Sequence, residues 1–156
     1  MKNILVIMIA IASFVFITAC SNDDSEDTSK PVIDLHEPAD GDTLFIGYDT
    51  HLEMDLSDNE KLKSYKVDIH NNFDDHGHTK STSANEAWTF TKSWDVSGLK
   101  NTHIHHHEIV IPTTVNGSPI AKGKYHFMVY CTDEAGNENY VVRNVVIDEG
   151  IPKEEE

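Results

Sequence analysis

Short runs of alternating apolar and polar residues, separated by clusters of turn residues, constrain the fold of this chain most strongly. In the run 50–56, Leu52, Met54 and Leu56 alternate with polar side chains. A period of two predicts a strand with one buried face. Similar runs lie at 32–36, 65–70, 88–94, 103–111, 125–131 and 140–147. From residue 31 onward no run has a convincing helical period, so the sequence predicts an all-β chain of about seven strands.

Seven short strands in one domain predict a two-sheet antiparallel sandwich over residues 31–149, followed by an acidic tail over 150–156. The stretch 123–138 carries an aromatic-alternating strand that leads into an Asp-x-x-Gly-Asn turn. It resembles the closing hairpin of bacterial immunoglobulin-like domains, and Leu56 to Asn59 resembles an earlier hairpin of the same domains. The resemblance implies an immunoglobulin-like fold and says almost nothing about function.

The beginning of the chain is typical of a signal peptide over residues 1–19. Lys2 precedes an apolar run at 4–17, and Thr18 and Ala19 then lead to Cys20. These last residues resemble the lipobox of bacterial lipoproteins, which implies lipidation of Cys20 and a membrane anchor. The alternative is an ordinary signal peptide with a chance cysteine.

Residues 20–30 contain the lipidation site and a stretch that is rich in acids and has no apolar side chain after Cys20, which predicts a disordered acidic tether. Its position resembles the export signal of surface lipoproteins in the Bacteroidota. The resemblance implies an outer-membrane, lipid-anchored protein that faces the cell exterior. The alternative is a plain spacer on a lipoprotein that faces the periplasm.

Several histidine-containing motifs further along the chain resemble one particular family. The motifs are His70, the triplet 76–78, the run 105–107 with Ile111 and Pro112, and the triplet 125–127. They are similar to a family of short bacterial lipoproteins labelled domain of unknown function 4625. That resemblance supports the sandwich and the lipid anchor and implies no activity.

The charge and the cysteines narrow the classes of function. The formal net charge of −15 argues against a nucleic-acid partner and favours cations or a basic partner. After lipidation of Cys20, only Cys131 remains, and it shares the inward register of its strand, which predicts an unreactive core thiol. The sequence contains no Gly-x-Ser-x-Gly and no His-Glu-x-x-His motif, so we do not expect an enzyme.

Ten histidines are the most unusual feature of the composition. Imidazole together with carboxylate suits a divalent transition metal, zinc or copper being the expected ions. The strongest local signal is a His-Gly-His loop beside Asp74 and Asp75. The candidate metal ligands are His51, His70, His76, His78, His105, His107 and His126. The alternative is that exposed histidines are simply tolerated on a polar surface, and a third interpretation is pH sensing, since histidine titrates near neutrality.

The predicted topology indicates which histidines meet. A simple succession of strands brings His36, His51, His70, the 76–78 loop and His126 to one end of the sandwich. The same topology places the run 103–107 nearer the other end, unless a bulge or a short strand alters its position. Whether the run and the loop form one site or two stays open.

The sequence therefore predicts a metal-binding lipoprotein that captures an ion or delivers it to an uptake or surface protein. The alternative is a non-catalytic interaction module that binds protein or glycan, with an aromatic patch around Met128 and Tyr130. Calcium binding by the turn at 133–137 is the less favoured possibility, because Asp133 and Asn137 are also suited to bonding the backbone of a hairpin turn.

Overall fold

The structure, a computed structural model, describes residues 26–72 and 85–152. In these ranges it has ten strands and no helix, so the all-β prediction is confirmed and each of the seven predicted runs forms a strand. The strands are Val32–Glu37 (β1), Thr43–Phe45 (β2), Asp49–Ser57 (β3), Leu62–Asn71 (β4), Phe90–Asp95 (β5), Asn101–Val110 (β6), Thr114–Val115 (β7), Ser118–Pro119 (β8), Gly123–Asp133 (β9) and Glu138–Asp148 (β10). Over the described residues there is accordingly no helix of the length and apolarity that a membrane span requires.

The strands form two main sheets and one short ribbon. One sheet has the order β1-β3-β6, the other β2-β10-β9-β4-β5, and β7 pairs with β8. All pairings are antiparallel except the one between β2 and β10. The third and sixth strands share one sheet while β4, β9 and β10 share the other, as the B and E strands and the C, F and G strands do in immunoglobulin domains.

The core lies between the two sheets and contains the apolar half of each alternating run. In β3, Leu52 and Met54 are fully buried, and Val67 of β4 and Phe127 of β9 approach them from the other sheet. Burying such a side chain contributes about 1.5–3 kcal/mol, and this is the main source of stability in an all-β domain without a disulfide. Cys131 also lies in this core, as its register predicts, and burial raises the pKa of its thiol to about 12.

The position of the histidine run of β6 along the sandwich differs from the predicted one. The strand runs antiparallel to β3 over ten residues, and His105 pairs with Glu53. The second half of the run 103–107 therefore lies beside His51, near the beginning of β3. The prediction that this run lies nearer the opposite end of the sandwich from His51 is wrong. The prediction counted the run as an early part of its strand. Strand β6 begins only two residues before His103, however, and His105 is its fifth residue and His107 its seventh of ten.

A β-bulge in β6 sets the local geometry. The register shifts between Thr50 and Leu52, where two residues of β3 advance against three of β6. The extra residue leaves His107 and Glu108 both exposed to solvent, while Ile109 returns to the core. The bulge thus brings His107 opposite His51.

The sandwich has two ends, which we call the His51 end and the Asp58 end. The His51 end comprises the beginning of β3 and β9 and the end of β4 and β6. The Asp58 end comprises the beginning of β1 and β4 and the end of β3 and β9.

Candidate metal centre

Three histidines from two neighbouring strands meet on the outer face of the three-stranded sheet, at the His51 end. His51 comes from β3, and His105 and His107 come from β6. Each offers one ring nitrogen, and the three nitrogens lie within 4.8 Å of one another. We call this group the histidine trio.

The three rings are packed against each other. The rings of His51 and His107 are stacked, with centroids 4.8 Å apart and planes 11° apart, and the His51 and His105 centroids are 4.7 Å apart. The His51 side chain is 20% exposed and that of His107 is 52% exposed, so His51 forms the floor of the group. Tetrahedral zinc at about 2.0–2.1 Å from each nitrogen requires nitrogens about 3.4 Å apart. The nitrogens, which lie within 4.8 Å of one another, would adopt that spacing on binding through rotation of the exposed rings.

Carboxylates stand beside the trio on the same face. The Asp49 Oδ2 atom lies 3.0 Å from His107 Nδ1, and Glu53 Oε2 lies 3.8 Å from His51 Nε2. An imidazole that donates its Nδ1–H to a carboxylate presents Nε2 with its lone pair to a metal ion, and the carboxylate makes that nitrogen a stronger ligand. Asp49 therefore fits the role of a residue that orients a ligand.

An acidic cleft of about 670 Å³ opens next to the trio. His51 and His107 line it together with Asp49, Glu37 and Asp42. Partial burial, and after it the neighbouring Asp42 carboxylate, raises the pKa of Glu37. Because three carboxyl groups border one concave surface, the cleft attracts cations toward the trio.

His70 and His126 form a separate pair. They are direct partners across β4 and β9, their rings meet edge to face with centroids 5.4 Å apart, and His70 Nδ1 lies 2.6 Å from an Asp68 oxygen. Both side chains face outward from the five-stranded sheet, so the core separates them from the trio. The predicted topology brings His51 to the same end as His70, but in the structure His51 lies on the opposite outer face, with His105 and His107.

The predicted ligands His76 and His78, with Asp74 and Asp75, lie outside the described residues, and so does Cys20.

His106 faces inward, unlike the other histidines of its strand. Its Nε2 atom lies 3.0 Å from the Tyr65 hydroxyl, and its ring packs against Trp94. Burial lowers the pKa of His106. This residue closes the edge of the core and is not directed toward the trio.

Sequence reasoning missed Asp49 and Glu53 as neighbours of the trio. The alternation of β3 could have identified them, because Asp49, His51 and Glu53 are successive outward positions of one strand.

The fold and this site define a small all-β sandwich with a cluster of outward-facing histidines. The chain belongs to the family described as domain of unknown function (DUF4625), whose family model matches residues 18–148. No curated protein matches the chain. Among solved structures it is similar to Spo0M, the sporulation control protein from Bacillus subtilis, at 11% identity and a TM-score of 0.36. That similarity covers 78% of this chain and 49% of Spo0M, so the chain spans about half the length of that protein.

Proposed function

We propose that this protein is a lipid-anchored lipoprotein of the outer membrane that binds a divalent transition metal, zinc or copper, through His51, His105 and His107. The binding serves capture of the ion or its delivery to an uptake protein. The observation that carries the proposal is the convergence of three ring nitrogens from two paired strands within 4.8 Å.

The ligand set supports reversible binding of an ion. Three imidazoles suit zinc and copper, and they leave a fourth position for water or for a ligand from a partner. Two of the three histidines are exposed, so an ion can enter and leave without unfolding the sheet. Such an accessible site suits transfer of an ion better than a structural role.

The other parts of the molecule suit this role. Lipidation at Cys20 would hold the sandwich at the membrane, and the tether over residues 20–30 would let it face the cell exterior. The net charge of −15 and the acidic cleft raise the local concentration of cations.

Calorimetric titration with zinc and with copper(II) tests the proposal. The sample is residues 21–156, which include every described residue, stripped of metal with a chelator. We expect saturable binding of one ion per chain, and loss of that binding in His107→Ala and in His105→Ala. Asp49→Asn should weaken the affinity about tenfold or more, because the orienting carboxylate is lost.

His70→Ala is the matched control, since it removes a partly exposed histidine from the opposite sheet. It should bind like the wild type. Wild-type binding in His107→Ala, or lost binding in His70→Ala, would move the site away from the trio.

A second candidate function is an interaction module, and one observation favours it. Tyr130 and Tyr140 lie side by side on the outer face of the five-stranded sheet, with ring centroids 5.7 Å apart. Tyr140 is 56% exposed, and the Lys66 ammonium lies 4.0 Å above the Tyr130 ring. An aromatic pair with one exposed ring suits a glycan or protein surface. Glycan binding that requires Tyr140, in a protein that binds no metal, would support this function instead.

A further inference from the structure

Three aspartates from separate segments meet at the Asp58 end, which is opposite to the histidine trio. Asp27 precedes β1, Asp58 directly follows β3, and Asp133 is the last residue of β9. One carboxylate oxygen of each lies within 4.8 Å of the other two. We call this group the aspartate trio.

Two members of the aspartate trio are buried, Asp27 is partly buried, and no cationic side chain of the described residues pairs with them. Asp133 is fully buried and Asp58 is 7% exposed. Within residues 26–72 and 85–152, no lysine, arginine or histidine forms an ion pair with any of the three. Like charges that are close together and shielded from water repel each other strongly, so a bound cation would stabilise this arrangement.

Hydrogen bonds account for only some of the carboxylate oxygens. Asp133 accepts from the backbone N–H and the side-chain amide of Asn137, both at 2.7 Å. Asp27 Oδ1 accepts from Ser29 N–H and Asn59, and Asp58 Oδ2 accepts from Glu60 N–H.

Two oxygens of the trio are buried and receive no hydrogen bond. They are Asp58 Oδ1 and Asp27 Oδ2. A buried carboxylate oxygen without a partner is costly, and native structures rarely leave one without a donor or an ion. Because Asp58 is more than nine-tenths buried, its unpaired oxygen is an independent sign of a missing ligand.

We propose that Asp27, Asp58 and Asp133 bind a calcium ion, which joins the segment before β1 to the Asp58 end of the sandwich. All ligands are oxygens, as hard cations prefer. Oxygens that bind one calcium at 2.3–2.6 Å can be separated by up to about 5.2 Å, so the spacing within 4.8 Å is compatible with calcium. Three carboxylates around one ion favour calcium over magnesium, because magnesium keeps several waters and is usually bound by only one or two carboxylates. Water or backbone carbonyls complete the shell.

The proposal gives the acidic segment before β1 a second role. Asp27 is seven positions after Cys20 and is already held by hydrogen bonds from the side chains of Asn59 and Asn137, the latter to its backbone carbonyl. A calcium ion that also binds Asp58 and Asp133 fixes this segment to the domain and so orients the sandwich relative to the chain that precedes it. This site is independent of the histidine trio in its position and in its ligands.

Calorimetric titration of residues 21–156 with calcium chloride, after chelator treatment, tests the site. We expect one saturable site per chain and a rise of the thermal midpoint Tm of unfolding with calcium. Asp58→Asn keeps the side-chain shape and should lower calcium affinity at least about tenfold, because affinity depends on the charge of the ligands. Asp27→Asn, which lies outside the sandwich and does not endanger folding, should lower it similarly.

Asp95→Asn is the matched control, because it removes an exposed carboxylate at the same end of the sandwich. It should leave calcium binding unchanged. Hydrogen exchange of the amides of residues 26–31 should slow when calcium is added. Non-saturating heat, wild-type affinity in Asp58→Asn, or equal affinity for magnesium would overturn the calcium site. Unchanged hydrogen exchange would overturn the joining role.

Discussion

The Asp55 carboxylate lies between two imidazoles from the two strands that flank β3. Its Oδ2 atom is 3.0 Å from His36 Nε2, and its Oδ1 atom is 3.0 Å from His103 Nδ1. The hydrogen bond to Asp55 raises the pKa of His36, and the bonds from His36 and then His103 lower the pKa of Asp55. Asp55 thus links exposed histidines of the two strands that neighbour β3.

This arrangement predicts a defined pH dependence. A raised imidazole pKa stabilises the fold fully below about pH 6.5, and the contribution is lost as the pH rises through the pKa of the folded state. A lowered carboxyl pKa stabilises above about pH 4, and that contribution is lost as the pH falls through the folded-state pKa. The pair therefore contributes most between about pH 4 and pH 6.5.

We expect Asp55→Asn to lower the pKa of His36 toward its ordinary value, as measured by NMR titration of the ring protons. The change removes the charge that favours the protonated ring and leaves the size of the side chain almost unchanged. In Asp95→Asn, a distant control, His36 should titrate as in the wild type. An unchanged His36 titration in Asp55→Asn would assign the raised pKa to another group.

Strand β3 presents two faces with opposite roles. Leu52 faces the core with no exposed surface, whereas its neighbour Glu53 faces outward beside the histidine trio. We expect Leu52→Ala to lower the free energy of unfolding by about 2–5 kcal/mol, because it leaves a cavity in the central strand of its sheet.

Denaturant unfolding of the metal-free protein measures that loss. Glu53→Ala should change the free energy of unfolding by no more than about 0.5 kcal/mol, since it alters only the outer face. Similar losses in both variants would contradict the assigned faces of β3.

The elements differ in how far the sequence predicts them. Strand β3 is predicted almost to its ends because its alternation is unbroken, and alternation is a local property. Two- and three-residue strands such as β7 and β2 carry no period and escape prediction. The position of His107 depends on the bulge and on the pairing of β6 with β3, which are non-local, so the histidine trio could not be located from the spacing of histidines alone.

The same reasoning explains why the aspartate trio was not predicted. The turn after Asp133 is recognisable as a possible ion site, but its partners come from residues 27 and 58, which are distant in the sequence. Asp27 belongs to a stretch whose composition predicts only a solvated tether. Proximity of carboxylates that are separated by a hundred residues is a property of the assembled sheets.

The length of the sandwich separates a nitrogen-rich candidate site from an oxygen-rich one. His51 and Asp58 are seven positions apart along the line of β3, which at about 3.3 Å per residue corresponds to about 23 Å. Nitrogen ligands favour zinc or copper, and carboxylates favour calcium, so the two ends are suited to different ions. The proposed calcium site lies near the segment that leads back to the proposed lipid anchor, and the proposed transition-metal site lies at the opposite end.

The separation predicts that the two sites bind independently. Sites more than about 10 Å apart that share no ligand contribute additively to stability. We expect Asp58→Asn to leave zinc affinity unchanged and His107→Ala to leave calcium affinity unchanged, both measured by calorimetry. The increases in Tm that saturating zinc and saturating calcium produce should likewise add when both ions are present. A loss of zinc affinity in Asp58→Asn would mean that the calcium site also orders the far end of β3, and the two ends would then form one coupled system.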